Sequence, residues 1–177
     1  MPDAAASPKP RPQGALQRLS PATLALGVAL ASAGILAAAH IMQAYGMFPC
    51  ELCLRQREAY WIAIPLALAA ALVPRWMQAP KLLAPLLLAA AAAALLYGAG
   101  RAAQHTGVVM HWWVSACSAG GHLSIDDVMN GKGAPLIACD SAPKFFGVSL
   151  PIYNFIAAIG LSAIAGAGAW RLVRAPN

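Results

Sequence analysis

Charge is what this sequence has least of. Only 10% of its 177 residues are charged, against about a quarter in an ordinary soluble domain, so the chain cannot coat a water-facing surface in the usual way. Acids are scarcer than bases, six against twelve. The excess of +6 is scattered around apolar segments, without a basic stripe or interleaved aromatics, which argues against nucleic acid as a partner. Cysteine is limited to Cys50, Cys53, Cys117 and Cys139. The first two form a CxxC motif, but no matching second pair completes a zinc set, because Cys117 and Cys139 stand far apart. Leu54 follows Cys53 where a c-type haem attachment needs His. The βαβ pattern of a soluble thioredoxin-type domain is missing too, and no internal repeat is present.

What remains is hydrophobic: 60% of the residues are apolar and the mean hydropathy is +0.62. After a Pro-, Ala- and base-rich tail over 1–20, expected to be disordered, four apolar segments follow. They run from about Pro21 to Ala44, Ala59 to Val73, Leu82 to Gly100 and Ile152 to Leu172. Spans of roughly 20 residues cross a hydrocarbon core, and the second reaches that length only if its helix begins near Cys50. The first is longer than the apolar region of a cleaved signal peptide. The expected fold is therefore an all-α membrane protein, a four-transmembrane-helix bundle over 21–172. It has a short outer loop at about 45–58, a long one at about 101–151, and a tail at 173–177. Pro65 and Pro85 lie inside segments, which membrane helices tolerate. Alanine recurs every fourth position at Ala25, Ala29, Ala33 and Ala37, and again at Ala59, Ala63, Ala67 and Ala71. This reads either as a close-packing stripe or as plain Ala-rich composition.

The bases fix an expected orientation. Lys9, Arg11 and Arg18 precede the first segment, Arg75 and Lys81 lie between the second and third, and Arg171 and Arg174 close the chain. Five of the six acids, Glu51, Glu58, Asp126, Asp127 and Asp140, fall in the other two loops. The positive-inside rule then puts both termini in the cytoplasm, with all four cysteines on the outer, oxidising side, where disulfides persist. In the long loop, His111-Trp112-Trp113 suits the bilayer interface, and Ser124 to Asp127 has capping-box spacing for a short helix.

The chemistry concentrates at Pro49-Cys50-Glu51-Leu52-Cys53. Two cysteines three apart close a small, exchangeable disulfide. At a helix N-terminus the macrodipole stabilises the thiolate that exchange requires. Pro49 suits the first turn of such a helix. Arg57 lies four residues after Cys53 and seven after Cys50, so the three share a helix face while Arg55 points elsewhere. Arg57 is read either as an interfacial anchor or as a fixed donor for a thiolate and for negative charge developing on an acceptor. His105, just past the third segment, is a candidate on that side; the ordinary alternative is a hydrogen-bonded surface histidine. His40, His111 and His122 carry no expectation, and Asn154 is expected to bond between helices. Four cysteines allow three pairings, and spacing does not choose among them.

The PCELCLRQR run, the outer loop with Cys117 and Cys139, and the CDSAPKFFGVSLP stretch before the last segment resemble the disulfide bond formation protein B (DsbB) family. The resemblance covers about residues 30–170. It implies a quinone-dependent thiol oxidase of the bacterial inner membrane, drawing electrons from a periplasmic DsbA-type thioredoxin-fold partner and passing them to ubiquinone or menaquinone. It implies that Cys117 and Cys139 pair and receive the partner's attack, that Cys139 exchanges with Cys50, and that Cys53 faces the quinone beside Arg57 and His105; no metal is implied. The relay of partner, membrane oxidase and quinone is a known pathway. Two other readings compete. A vitamin-K-epoxide-reductase-like enzyme has its CxxC late in the chain, the reverse of the order here. A structural or transport protein with loop disulfides predicts that Cys50 and Cys53 are dispensable.

Overall fold

The computed structural model describes residues 19–76, 80–114 and 138–174, and the side chains of all of these except 74–76. Among the described residues are four long helices and one small hairpin, in the order α1 (Pro21–Ala44), α2 (Glu51–Trp76), α3 (Leu83–Val109), β1 (Lys144–Phe145), β2 (Val148–Ser149) and α4 (Leu150–Arg174). The Ser124–Asp127 capping box, Cys117 and, of the tails, residues 1–18 and 175–177 lie outside the described residues.

Local chemistry sets the helix ends. Ser20 caps α1 by accepting from the Thr23 amide at 3.1 Å, and Pro21 takes the first helical position, where its missing N–H is not needed. The C-terminus of α1 is closed by the Gly46 amide on Gln43 O and the Met47 amide on Met42 O. This is a Schellman arrangement, with Gly46 at φ +86 in the left-handed position. The same arrangement ends α3: His111 N–H reaches Val108 O and Trp112 N–H reaches Gly107 O, with His111 itself at φ 56. Phe146 and Gly147, at φ 47 and 79, form the two-residue turn between β1 and β2. Two consecutive positive φ values match the twist that a tight hairpin needs. Lys144 pairs with Ser149 and Phe145 with Val148, so the hairpin feeds directly into α4.

Three expected boundaries move. The second helix starts at Glu51, so the first connection, expected over 45–58, is 45–50. The third helix does not stop at Gly100 but continues to Val109. The polarity of Arg101 and Gln104 suggests a loop, yet 101–106 contain no proline or glycine to break a helix, and Arg101 donates to Gln104 along the helix at 2.7 Å. The fourth helix begins at Leu150, with Pro151 in its first turn.

α3 packs most extensively on α4 and α2, while α1 lies against α2 and α4. The ring order α1-α2-α3-α4 leaves α2 and α4 facing each other across the bundle diagonal. The core is built mainly from small residues, including Ala63, Ala67, Ala91 and Ala165, with Leu88 and Leu95 filling between them. In α2 the whole alanine stripe Ala59, Ala63, Ala67 and Ala71 is buried. In α1 only Ala25 and Ala29 are buried; Ala33 is half-buried and Ala37 exposed. A period of four drifts off a face that turns every 3.6 residues. α2 and α3 approach closely at Gly98, where a Cβ would stand 2.6 Å from the Ala59 Cβ.

The outward faces are apolar: Leu30, Trp61, Ile62, Leu86, Leu96 and Ile156 are all more than half exposed. Such a surface suits lipid, and helices satisfy their own backbone groups there. α1, α3 and α4 are each long and apolar enough to cross a membrane. α2 carries Glu51, Arg55, Arg57 and Glu58 in its first turns. The chain is a helical membrane protein whose second helix carries a charged head.

Candidate active site

Cys50 is the residue from which α2 starts. Its carbonyl accepts the first helical bond, from the Leu54 amide at 3.2 Å, and its Sγ accepts from the Cys53 amide at 3.2 Å. The thiol thus occupies the N-cap role usually filled by Ser, Thr, Asp or Asn. Pro49, expected in the first helical turn, sits one residue before the cap instead. The helix start puts both sulfurs at the positive end of α2. Cys50 donates to Cys53 Sγ across 2.8 Å, and both thiols are free. That hydrogen bond first, and burial second, push the Cys50 thiol well above its ordinary range.

Cys139 comes from the far side of the long loop and packs in a buried cluster with Cys50, Leu52 and Val108. It is disulfide-bonded, to a partner outside the described residues. Cys139 therefore rests against the CxxC motif although it lies more than eighty residues further along the chain.

His105 links the two. It is not an ordinary surface histidine: the structure buries it completely, because α3 runs on past Gly100 and carries it inward. Its Nε2 lies 3.0 Å from the Cys139 carbonyl oxygen and 3.5 Å from Cys50 Sγ. Its Nδ1 lies 2.9 Å from Gln56 Nε2. Cys50, Cys53 and His105 offer donor atoms all within 4.8 Å of one another, a set that could hold a soft metal ion. Both ring nitrogens of His105 are already engaged in hydrogen bonds, so as arranged the group is wired for polar contacts rather than for ligation.

Cys53 borders a cavity of about 250 Å³. Residues Cys53, Gln56, Arg57 and Tyr60 line it from α2, the i, i+3, i+4, i+7 spacing of one helix face. Ile35, Leu36 and Met42 from α1 and Phe48 from the first loop make its apolar side, and His105 and Asn154 join from α3 and α4. Arg57 reaches to α1, donating to Gln43 Oε1 at 2.8 Å and to Ala39 O at 3.3 Å. Arg55 points away, half-exposed between Glu51 and Glu58 at 3.7 and 3.5 Å. Such exposed pairs contribute little stability.

The structure therefore brings Cys50, Cys53, Cys139 and His105 into mutual contact, with Arg57 on the same cavity as Cys53 and His105; Cys117 lies outside the described residues. Reading the sequence missed Gln56 and Tyr60, although they complete the face marked by Cys53 and Arg57. A polar residue four before a tyrosine on that face was the available signal. Asn154 was expected to bond between helices and does: its Nδ2 donates to Gln56 Oε1, and Tyr60 donates to its Oδ1, each at 2.6 Å.

Compared with known proteins, the chain matches the profile of one family, described as disulfide bond formation protein DsbB, over residues 21–168. No curated protein and no solved structure matches it.

Proposed function

The chain belongs to the DsbB family, membrane proteins of disulfide-bond formation, and on that premise we propose that it is a thiol:quinone oxidoreductase of the bacterial inner membrane that reoxidises a periplasmic DsbA-type dithiol. The observation that carries this reading is the arrangement around Cys53. One face of its sulfur meets Cys50 at 2.8 Å, and another borders an apolar cavity whose polar groups include Arg57 and His105. A quinone head is flat and apolar, with two carbonyl oxygens that gain negative charge on reduction. The cavity fits that chemistry: hydrocarbon walls, with a fixed cation and an N–H donor near the sulfur. Bound there, a quinone supplies a sink for two electrons and two protons.

The exchange steps belong to the chain's own sulfurs. A thiolate of the reduced partner attacks Cys117 of a Cys117–Cys139 disulfide, forming a mixed disulfide and releasing Cys139 as thiolate. Cys139 attacks Cys50 of an oxidised Cys50–Cys53 pair, and Cys53 leaves as thiolate. The partner's second thiol then attacks its own sulfur in the mixed disulfide and frees Cys117. Cys117 closes back on Cys139, leaving Cys50 reduced. The partner has lost two electrons and the Cys50–Cys53 pair has gained them. The buried contact between Cys139 and Cys50 supports this order, since the exchanging residues are already neighbours. Arg57 and His105 hold the acceptor and favour charge on its oxygen. The charge bias of the loops supports four crossings with both termini in the cytoplasm.

The relay order has a direct test. A partner whose second cysteine is replaced by Ser should be trapped as a mixed disulfide through Cys117, because its remaining thiolate breaks the Cys117–Cys139 bond and no second thiol resolves the product. The trapped species is visible as a thiol-sensitive adduct on non-reducing gels and assigned by peptide mapping. An adduct through Cys50 instead reverses the order.

A further inference from the structure

Four polar side chains form one connected hydrogen-bond path across the bundle diagonal. Tyr60 Oη donates to Asn154 Oδ1 at 2.6 Å, Asn154 Nδ2 donates to Gln56 Oε1 at 2.6 Å, and Gln56 Nε2 meets His105 Nδ1 at 2.9 Å. The path ends where His105 Nε2 meets the Cys139 carbonyl at 3.0 Å and Cys50 Sγ at 3.5 Å. Each link constrains the next. A carbonyl oxygen only accepts, so Nε2 must carry a proton. With the amide of Gln56 turned by Asn154, its NH₂ faces Nδ1, so Nδ1 must accept. Buried polar groups are held to such complete pairing, since an orphaned donor or acceptor is costly.

We infer that Gln56, Asn154 and Tyr60 are positioning residues that hold His105 neutral with its proton on Nε2, so that it presents an N–H donor, not a base, to the sulfurs and the cavity. The inference deepens the proposed function and rests on that site, though not on its turnover. It has a consequence for proton movement. The proton leaving the Cys50 thiol cannot go to Nε2; Cys53 Sγ, at 2.8 Å, is the acceptor in range. The charged and titratable groups at this end of α2 that touch the path or line the cavity are Cys50, Cys53, Arg57 and Tyr60; Glu51, Arg55 and Glu58 pair with one another on its exposed side. Those from α3 and α4 that contact the path are neutral amides or His105 itself.

The test is the ¹⁵N spectrum of the His105 ring at pH 7, in full-length protein in detergent with His40, His111 and His122 replaced by Gln. Wild-type Gln56, Asn154 and Tyr60 should give one protonated nitrogen, Nε2, and one bare nitrogen, Nδ1. Asn154→Asp turns the path around: a carboxylate only accepts, so it draws the Gln56 NH₂ and leaves Oε1 facing Nδ1. Both ring nitrogens should then be protonated. Tyr60→Phe keeps the ring and removes only the hydroxyl, and should yield a mixture of the neutral Nε2-protonated ring and the doubly protonated ring. An Nδ1-protonated ring in the parent protein overturns the inference, as do spectra unchanged in both variants. The readout needs neither quinone nor partner. A pinned ring in a protein without quinone turnover leaves this inference standing and removes the proposed function.

Discussion

Cys53→Ser should stop quinone reduction, lowering steady-state turnover by roughly 10³-fold or more, the scale of losing an essential nucleophile. The reason is positional. Cys53 is the cysteine of the CxxC pair that lines the cavity, and serine is neither a leaving group in exchange nor an electron donor. The variant should still oxidise one equivalent of reduced partner, because the disulfide at Cys139 lies upstream. A stopped-flow trace should therefore show a single-equivalent burst with no following phase, while the parent protein continues. Continued turnover would return the chain to the structural reading, in which Cys50 and Cys53 are dispensable.

Arg57→Ala should cost about 10²–10³-fold in quinone reduction, the range for removing one fixed donor from developing negative charge. Oxidation of the partner by preformed disulfides should be nearly unchanged. The guanidinium is held by Gln43 Oε1 and Ala39 O at the last turn of α1, which leaves its remaining N–H groups for the cavity. Lysine is a point charge without the fork, so Arg57→Lys should recover only part of the loss. Titrating quinone in single-turnover experiments separates weaker binding from slower transfer. If quinone reduction and partner oxidation fall together, Arg57 is a tie between α1 and α2 and not part of the site.

Much of this was legible in the chain. Apolar runs between base-rich segments announced a membrane bundle, and the CxxC motif followed by Arg57 announced a helix start with Cys53 and Arg57 on one face. The CDSAPKFFGVSLP stretch carried the family resemblance, and residues 21–168 match that family. The burial of His105 was not legible, because it depends on α3 continuing through Arg101 and Gln104. Polarity marks those residues as loop, while the absence of proline and glycine there lets the helix run on. The Tyr60–Asn154–Gln56 path was hidden for a different reason. It joins α2 to α4 across the bundle, and no periodicity along one segment records a contact between two. The hairpin was missed because its turn is Phe146-Gly147, without the Asn or Asp that marks such turns.

The central claim is that electrons from an outer thiol leave through the Cys53 cavity to a quinone. Detergent-purified protein, a reduced DsbA-type partner and ubiquinone, then menaquinone, are mixed, and quinone loss is followed with partner thiols counted in parallel. The account predicts catalytic consumption of at least one of the two, with one quinol formed for each partner disulfide. Partner and quinone both left unchanged, with either quinone, would contradict it.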